Sequence, residues 1–337
     1  MKFTTDTKKQ HTVPRFLLDH FGFGKKNKKR KLFTFDKLNE TIYPQSVYDA
    51  ITRRCFYDLQ NHPENTSLEP ILGSIESNAA PVIKKIIKEK SLADLTSAER
   101  EKIAVFVLVQ KARTLNQLKI MEHFGETMVD FIKESGADPH EVDGMQGFDD
   151  DDAQKNSFIT MILKYIEFAP HILNKGWILY ETVESDPFYI SDNPVTWHND
   201  IDMSPRGSLG LEVKGIQVHL PLSSTLTIAF VCISIFEELT QAKQKLSAMK
   251  ALGLLGADTI KMEVGLARGF KLLEAYEKGT VLQSQPENVM FLNSLQVRYA
   301  EQYVFSKKND FELASEMVST HEDIRNGGVR MGNSFSK

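Results

Sequence analysis

The stretch Ser191-Asp192-Asn193-Pro194-Val195-Thr196-Trp197-His198 gathers a carboxylate, an amide and an imidazole around one proline. Pro194 forces Asn193 into extended backbone, and an aspartate before such a turn caps neighbouring amides. The β-rich run Phe188-Tyr189-Ile190 comes just before, so the sequence delivers a carboxylate to a strand end. A carboxylate held there has two chemical uses: general-base catalysis, or ligation of a divalent metal such as Mg²⁺ or Mn²⁺. The structural alternative is an Asx-turn that only holds the chain. His198 and His219 lie in the same β-rich region, and a meeting of Asp192, His198 and His219 is one arrangement to test. His219 alternates with Ile216, Val218 and Leu220, which points it away from their face, toward solvent or a structural hydrogen bond. None of the nine histidines forms HExxH, HxH or a His/Cys cluster at ligand spacing.

A second group carries charge without an obvious partner. In Gln110-Lys-Ala-Arg113-Thr-Leu-Asn-Gln117, helical spacing puts Gln110, Arg113 and Gln117 on one face. Arg113 is either at the surface or buried against a carboxylate or phosphate, because an unpaired buried charge is costly; Asp192 is one candidate partner. His11 opens the segment His-Thr-Val-Pro14-Arg-Phe-Leu-Leu, whose proline requires an extended entry before Phe16, Leu17 and Phe21 can bury. Lys25 to Lys31 reads KKNKKRK, a solvated loop or a patch in which Lys28, Lys29 and Arg30 contact phosphate. Asp192 followed by Glu212-x-Lys214 matches the order that restriction-type nucleases use for metal and water. GLEVKG reads better as a loop, and Glu-x-Lys arises readily by chance.

Net charge is −4 over 337 residues, which excludes a globally basic nucleic-acid coat, yet residues 1–60 hold 13 Lys and Arg against 6 Asp and Glu, a local +7. No phosphate loop, dinucleotide fingerprint or nucleophile elbow is present. No apolar run is long enough for a transmembrane helix, and the first residues lack a secretory h-region. Two distant cysteines, Cys55 and Cys232, fit free thiols in a reducing compartment, so the expected location is cytoplasmic.

The elements that must position these residues follow from periodicity. Alternation at 31–46 predicts a β-hairpin. Residues 66–174 are helical, with Pro81 starting or kinking a segment and one long helix running from Thr96 or Ser97 to Ile132. Short β-rich runs fill 177–232, and helices return over 236–320. The expected fold is α+β: an antiparallel sheet packed against a mainly helical layer, with an N-terminal hairpin (arm and hairpin 8–60) joining or covering that sheet. A single domain over 1–325 and a disordered tail over 326–337 complete the expectation.

QHTVPRFLLDHF, LFTFDK, RCFYDL, QKARTLNQ, YISDNPV, HLPLSSTLTIAF and FLNSLQVRYAEQYVFS occur in this order. Together they resemble the mainly bacterial family known as domain of unknown function 4238, over roughly residues 8–306. The resemblance implies a single α+β domain. It places His11, Pro14, Arg113, Asp192, Asn193, Pro194, Pro221 and Asn293 at positions of the family pattern, and leaves Glu212 and Lys214 outside it. Two functions stand open. One is a hydrolase of nucleic acid or another phosphate ester, a toxin or defence effector. There His11 and Asp192 do acid–base or metal chemistry, Arg113, Asn193 and Asn293 bind, and loop 25–31 attracts nucleic acid. The other is a non-catalytic regulatory or interaction domain, with a protein partner or a second copy, whose polar motif residues are structural ties.

Overall fold

The computed structural model describes residues 4–25, 30–62, 66–143, 150–201, 209–253 and 256–325. The chain opens as an anchored arm. Strand β1 (Lys9–His11) pairs antiparallel with β4 (Thr52–Arg54). Pro14 then stops the extended run and starts the short helix α1 (Arg15–Leu18), which sends Leu17, Leu18 and Phe21 completely into the core. The hairpin expected at 31–46 is β2 (Lys31–Asp36) and β3 (Thr41–Ser46), in register from Lys31↔Ser46 to Asp36↔Thr41. The Asp36 carboxylate ties its turn by accepting from the amides of Leu38 (3.0 Å) and Asn39 (3.3 Å).

This hairpin does not join the sheet of residues 177–232. It recruits β11 (Tyr303–Ser306) and β6 (Ile190–Ser191) into a separate antiparallel sheet of order β3-β2-β11-β6. The reason lies in the SDNP turn: Asp192 grips the backbone just before β11, which draws the C-terminal strand between β2 and β6.

The second large sheet has the order β10-β5-β9-β8-β7, built from β5 (Gly176–Glu181), β7 (Thr196–His198), β8 (Gln217–Ser223), β9 (Leu226–Val231) and β10 (Val281–Gln283). All neighbours are antiparallel except β10, which runs parallel to β5. Both faces are covered, which is why alternate and intervening residues are apolar alike. Trp177, Leu179, Val218, Leu220 and Phe230 meet α2 (Glu69–Glu89) and α3 (Ser97–Ala112) in the main core. Ile178, Ala229 and Val231 meet α7 (Ile233–Ala251) and α8 (Ala257–Lys278) on the other side. Gly176 permits that second contact, since a Cβ there would lie 2.1 Å from the Phe236 ring.

Helix α3 begins with a full capping box: the Thr96 hydroxyl accepts from the Glu99 amide (3.2 Å), and the Glu99 carboxylate accepts from the Thr96 amide (2.9 Å). Pro81 sits inside α2 without ending it. The single helix expected to Ile132 is in fact two. Arg113 leaves helical geometry at ψ 4°, Thr114 is extended at ψ 158°, and the Thr114 hydroxyl caps α4 (Leu115–Glu134) by accepting from Gln117 (3.3 Å). Gln117 therefore lies past the break, off the face of Gln110 and Arg113. Helix α5 (Asp151–Lys164) closes a second core around Phe56, Tyr57, Leu72, Phe158 and Ile162, while α6 (Ala169–Leu173) sends Ala169 and Ile172 into the main core. Helices α9 (Pro286–Tyr299) and α10 (Glu312–Thr320) pack on the β2/β11 sheet, and α11 (Glu322–Arg325) ends the described chain. The fold is α+β.

Candidate functional site

The helix break organises two polar networks, one on each side of it. On the arm side, Arg113 is 1% exposed and every guanidinium nitrogen has a partner. Nε donates to the Tyr57 hydroxyl (3.1 Å), Nη1 to Glu76 Oε1 (2.6 Å) and Nη2 to the carbonyl of His11. Tyr57 in turn donates to the Arg113 carbonyl at 2.8 Å. Burial opposes the Arg113 charge, but Tyr57 and Glu76 outweigh it and hold the group above its usual value. The His11 ring donates from Nε2 to the Tyr48 carbonyl (3.2 Å), and burial lowers its pKa. Gln110 Nε2 donates to the Thr12 carbonyl (3.0 Å), while Gln10 accepts from the Tyr57 amide (2.7 Å) and donates to Asp58 (2.7 Å). The arm is sewn to α3 residue by residue.

The partner of Arg113 is thus Glu76, and the sequence-based pairing with Asp192 is corrected. Glu76 lies on α2, 37 residues away, where nothing local in the sequence marks it.

On the other side, the Asp192 carboxylate accepts three backbone amides: Glu301 (2.7 Å), Gln302 (2.8 Å) and Tyr303 (2.9 Å). Burial raises its pKa, against these amides and the charge of Lys37. Lys37 is itself fully buried, donates to the carbonyls of Val297 (2.9 Å) and Ala300 (2.7 Å), and is pushed down to about 8 by burial. Asn193 donates to Asn116 Oδ1 (3.0 Å) and the Tyr299 carbonyl (2.9 Å) and accepts from Thr114 (3.4 Å). Asn116 continues to Glu301, which Lys119 pairs. Asn293 accepts from the Tyr189 amide (2.7 Å) and donates to the Pro187 carbonyl (3.1 Å). One turn on, Gln296 accepts from Ser191 (3.0 Å) and donates to Pro194 (2.9 Å). These two α9 side chains serve as a substitute strand for residues 187–194.

Sequence reasoning missed Tyr57, Glu76, Lys37, Asn116, Gln296 and Glu301. Tyr57, Lys37, Asn116, Gln296 and Glu301 stand inside RCFYDL, LFTFDK, QKARTLNQ and FLNSLQVRYAEQYVFS, whereas Glu76 carries no local signal. Lys28 and Lys29 lie outside the described residues, as do Asp149 and the tail 326–337.

His198 and His219 do come together, without Asp192. His198 Nε2 meets Asp200 Oδ1 at 2.7 Å, and Gln217 donates to the other Asp200 oxygen at 3.1 Å. His219 faces neither solvent nor a structural bond: it is 2% exposed, its Nδ1 has no partner, and burial followed by the His198 charge lowers it to about 3. The opposing Thr196 hydroxyl is also buried and unpartnered. Among the described residues no three His, Cys, Asp or Glu side chains converge as metal ligands, and Asp192 has both oxygens engaged by amides, a poor fit for Mg²⁺ or Mn²⁺. Glu212 and Lys214 sit in an exposed turn beside His171 and Glu238 respectively.

Arg30 belongs to another place. With Arg15, Lys84, Asp19, His20 and Tyr48 it lines a cavity of about 340 Å³. Its stem lies over Gly22, where a Cβ would approach within 2.8 Å, and its buried Nε has no partner among the described residues. Arg15 stands 5.8 Å over the Tyr48 ring.

The architecture defines an α+β protein whose motif residues tie an N-terminal arm and a C-terminal strand to a central helix break. The model of a family described as protein of unknown function (DUF4238) matches residues 9–310, and the chain belongs to that family. No curated protein and no solved structure matches it. Among the described residues no helix is long and apolar enough to cross a membrane.

Proposed function

We propose that the protein is a non-catalytic nucleic-acid-binding domain, with the motif residues as structural ties and the basic N-terminal cavity as the contact surface. The observation that carries the first half is that Arg113, Asp192, Asn193 and Asn293 are buried and each is bonded to two or more protein groups, with both Asp192 oxygens taken by backbone amides. A catalytic group needs a free valence in reach of the reacting atom. The second half rests on Arg15, Arg30 and Lys84 around one cavity, none of which has an ion-pair partner among the described residues. Arg30 belongs in sequence to a run with five lysines at 25–31, and local positive charge is what attracts phosphate.

The hydrolase reading keeps one supporting observation, the partly exposed His198–Asp200 pair, which has the geometry of an oriented base. One experiment separates the two. Fluorescence anisotropy with a 20-nucleotide RNA and its DNA counterpart at 50 and 200 mM salt should show salt-sensitive binding, largely lost in Arg15→Gln/Arg30→Gln/Lys84→Gln. The same oligonucleotides should remain intact with Mg²⁺ or Mn²⁺. Cleavage that disappears in Asp192→Asn or His198→Asn would restore the hydrolase, and absence of binding at low salt would remove the nucleic-acid contact.

A further inference from the structure

A cavity of about 910 Å³ lies apart from both polar networks and from the basic N-terminal cavity. Its floor is the outer part of the five-stranded sheet, and its walls are α8 and the start of α9. Strands β5 and β10 run parallel here, with Gln283 beside Glu181, and β10 leads directly into α9. The cavity therefore lies at the carboxyl ends of β5 and β10, just before α9. Its volume is in the range of small-molecule sites.

The lining has two parts. Tyr180, Leu272, Ala275, Val281 and Leu282 give an apolar floor. Arg268 and Lys271, three residues apart on α8, face it with no ion-pair partner among the described residues. The two carboxylates of the rim compete little for them. Glu274 is paired with Lys278 at 2.6 Å, and Glu287 sits in the first turn of α9, where a negative charge is accommodated by the helix. The Tyr180 hydroxyl has no hydrogen-bond partner among the described residues, and burial pushes it up to about 12, so it remains a donor across the neutral range.

We infer that this cavity binds a small organic anion, a phosphate or carboxylate joined to an apolar body, with Arg268 and Lys271 on the anion, Tyr180 donating to it, and the Leu272–Leu282 floor on the carbon skeleton. Neither half suffices alone. A bare anion would leave the apolar floor in water, and a neutral hydrocarbon would leave two cations unused.

Isothermal titration with phenyl phosphate tests this, using inorganic phosphate and benzyl alcohol as its two halves. Phenyl phosphate should bind at least tenfold more tightly than either half. Arg268→Gln and Lys271→Gln, both at exposed positions, should each weaken it about tenfold, and neither should change the melting temperature or the RNA affinity. The triple variant of the basic N-terminal cavity should bind phenyl phosphate as the native protein does, so failure of the nucleic-acid reading leaves this one intact. The inference is overturned by no binding at millimolar phenyl phosphate or by equal affinity for inorganic phosphate. It is overturned too by affinity that survives both α8 substitutions, or is lost only in the N-terminal triple variant.

Discussion

Two regions of the molecule treat charge in opposite ways. Around the helix break, Arg113, Asp192 and Lys37 are buried and each is matched by protein donors or acceptors. Around the two cavities, Arg15, Arg30, Lys84, Arg268 and Lys271 face open space with no ion-pair partner among the described residues. The difference follows from solvation. A buried charge without a partner costs several kcal/mol, so it must be closed off by the fold, whereas a cation at a cavity wall keeps its water until something better arrives. Buried charges with protein partners thus hold this protein together, and charges at the cavity walls are the ones able to meet a ligand.

The sharpest way to break the contrast is Arg113→Met. It strips Glu76 of its cation, leaves the Tyr57 hydroxyl and the His11 carbonyl short of a donor, and should cost about 3–5 kcal/mol in urea unfolding. Glu69, whose pKa burial raises to about 7, adds a pH signature. A carboxyl with a raised folded pKa contributes stability that is complete below its unfolded value near 4.5 and lost as pH climbs through 7. Without the nearby Arg113 charge the folded pKa rises further, so that loss should still begin near 4.5 but extend to higher pH and run deeper, and denaturation midpoints at pH 5 and 8 should diverge more than in the native protein.

Next in size is Asp192→Asn. The amide keeps one acceptor oxygen but turns an NH₂ toward backbone N–H groups of 301–303, and the expected loss is about 2–3 kcal/mol. Oligonucleotide binding should not change. Unaltered stability would mean that the carboxylate is not the clamp on β11 that its geometry indicates.

The sequence made part of this legible. The hairpin at 31–46, the buried arm after Pro14 and the α+β class follow from alternation, proline and helical spacing, all local signals. The break at Thr114 was hidden because a Thr inside a strong apolar pattern looks like any helical residue, until Asn193, 79 residues away, accepts from its hydroxyl. Long-range pairing also decided the second sheet: nothing in FYISD says that it will pair with YVFS rather than with its neighbours. The cavities were invisible for the same reason: Arg15, Arg30 and Lys84 come from three separate parts of the chain, and the basic run pointed to Arg30 alone among them.

Two buried lysines sharpen the comparison at lower cost, because both sit near a pKa of about 8 yet differ in partners. Lys37 satisfies the carbonyls of Val297 and Ala300, so Lys37→Met should destabilise by about 2 kcal/mol. Lys111 has only the rings of Trp197 (5.5 Å) and Tyr299 (5.6 Å), so Lys111→Met should stabilise by about 1–2 kcal/mol at pH 7. For both, the folded state releases its proton before the unfolded state does. Their penalty is complete below pH 8 and is relieved toward the free-lysine value near 10.5, so stability rises over that window and rises less in Lys111→Met.

The smallest stability effect belongs to Gly22→Ala, which acts on a cavity charge and not on a buried one. Gly22 has φ −87°, open to any residue, so no backbone strain follows. Its new Cβ would stand 2.8 Å from the Arg30 Cγ and Nε and 3.0 Å from the Lys31 carbonyl oxygen, so the Arg30 stem must swing off and the Lys31 backbone give slightly. Moving a cavity-lining side chain should cost under about 1 kcal/mol in unfolding. If Arg30 is one of the phosphate contacts, its removal should lower the slope of log affinity against log salt by about 0.7 for RNA or DNA single strands. An unchanged slope with Arg30 displaced would show that the nucleic acid touches other cations, and would move the contact surface away from this cavity.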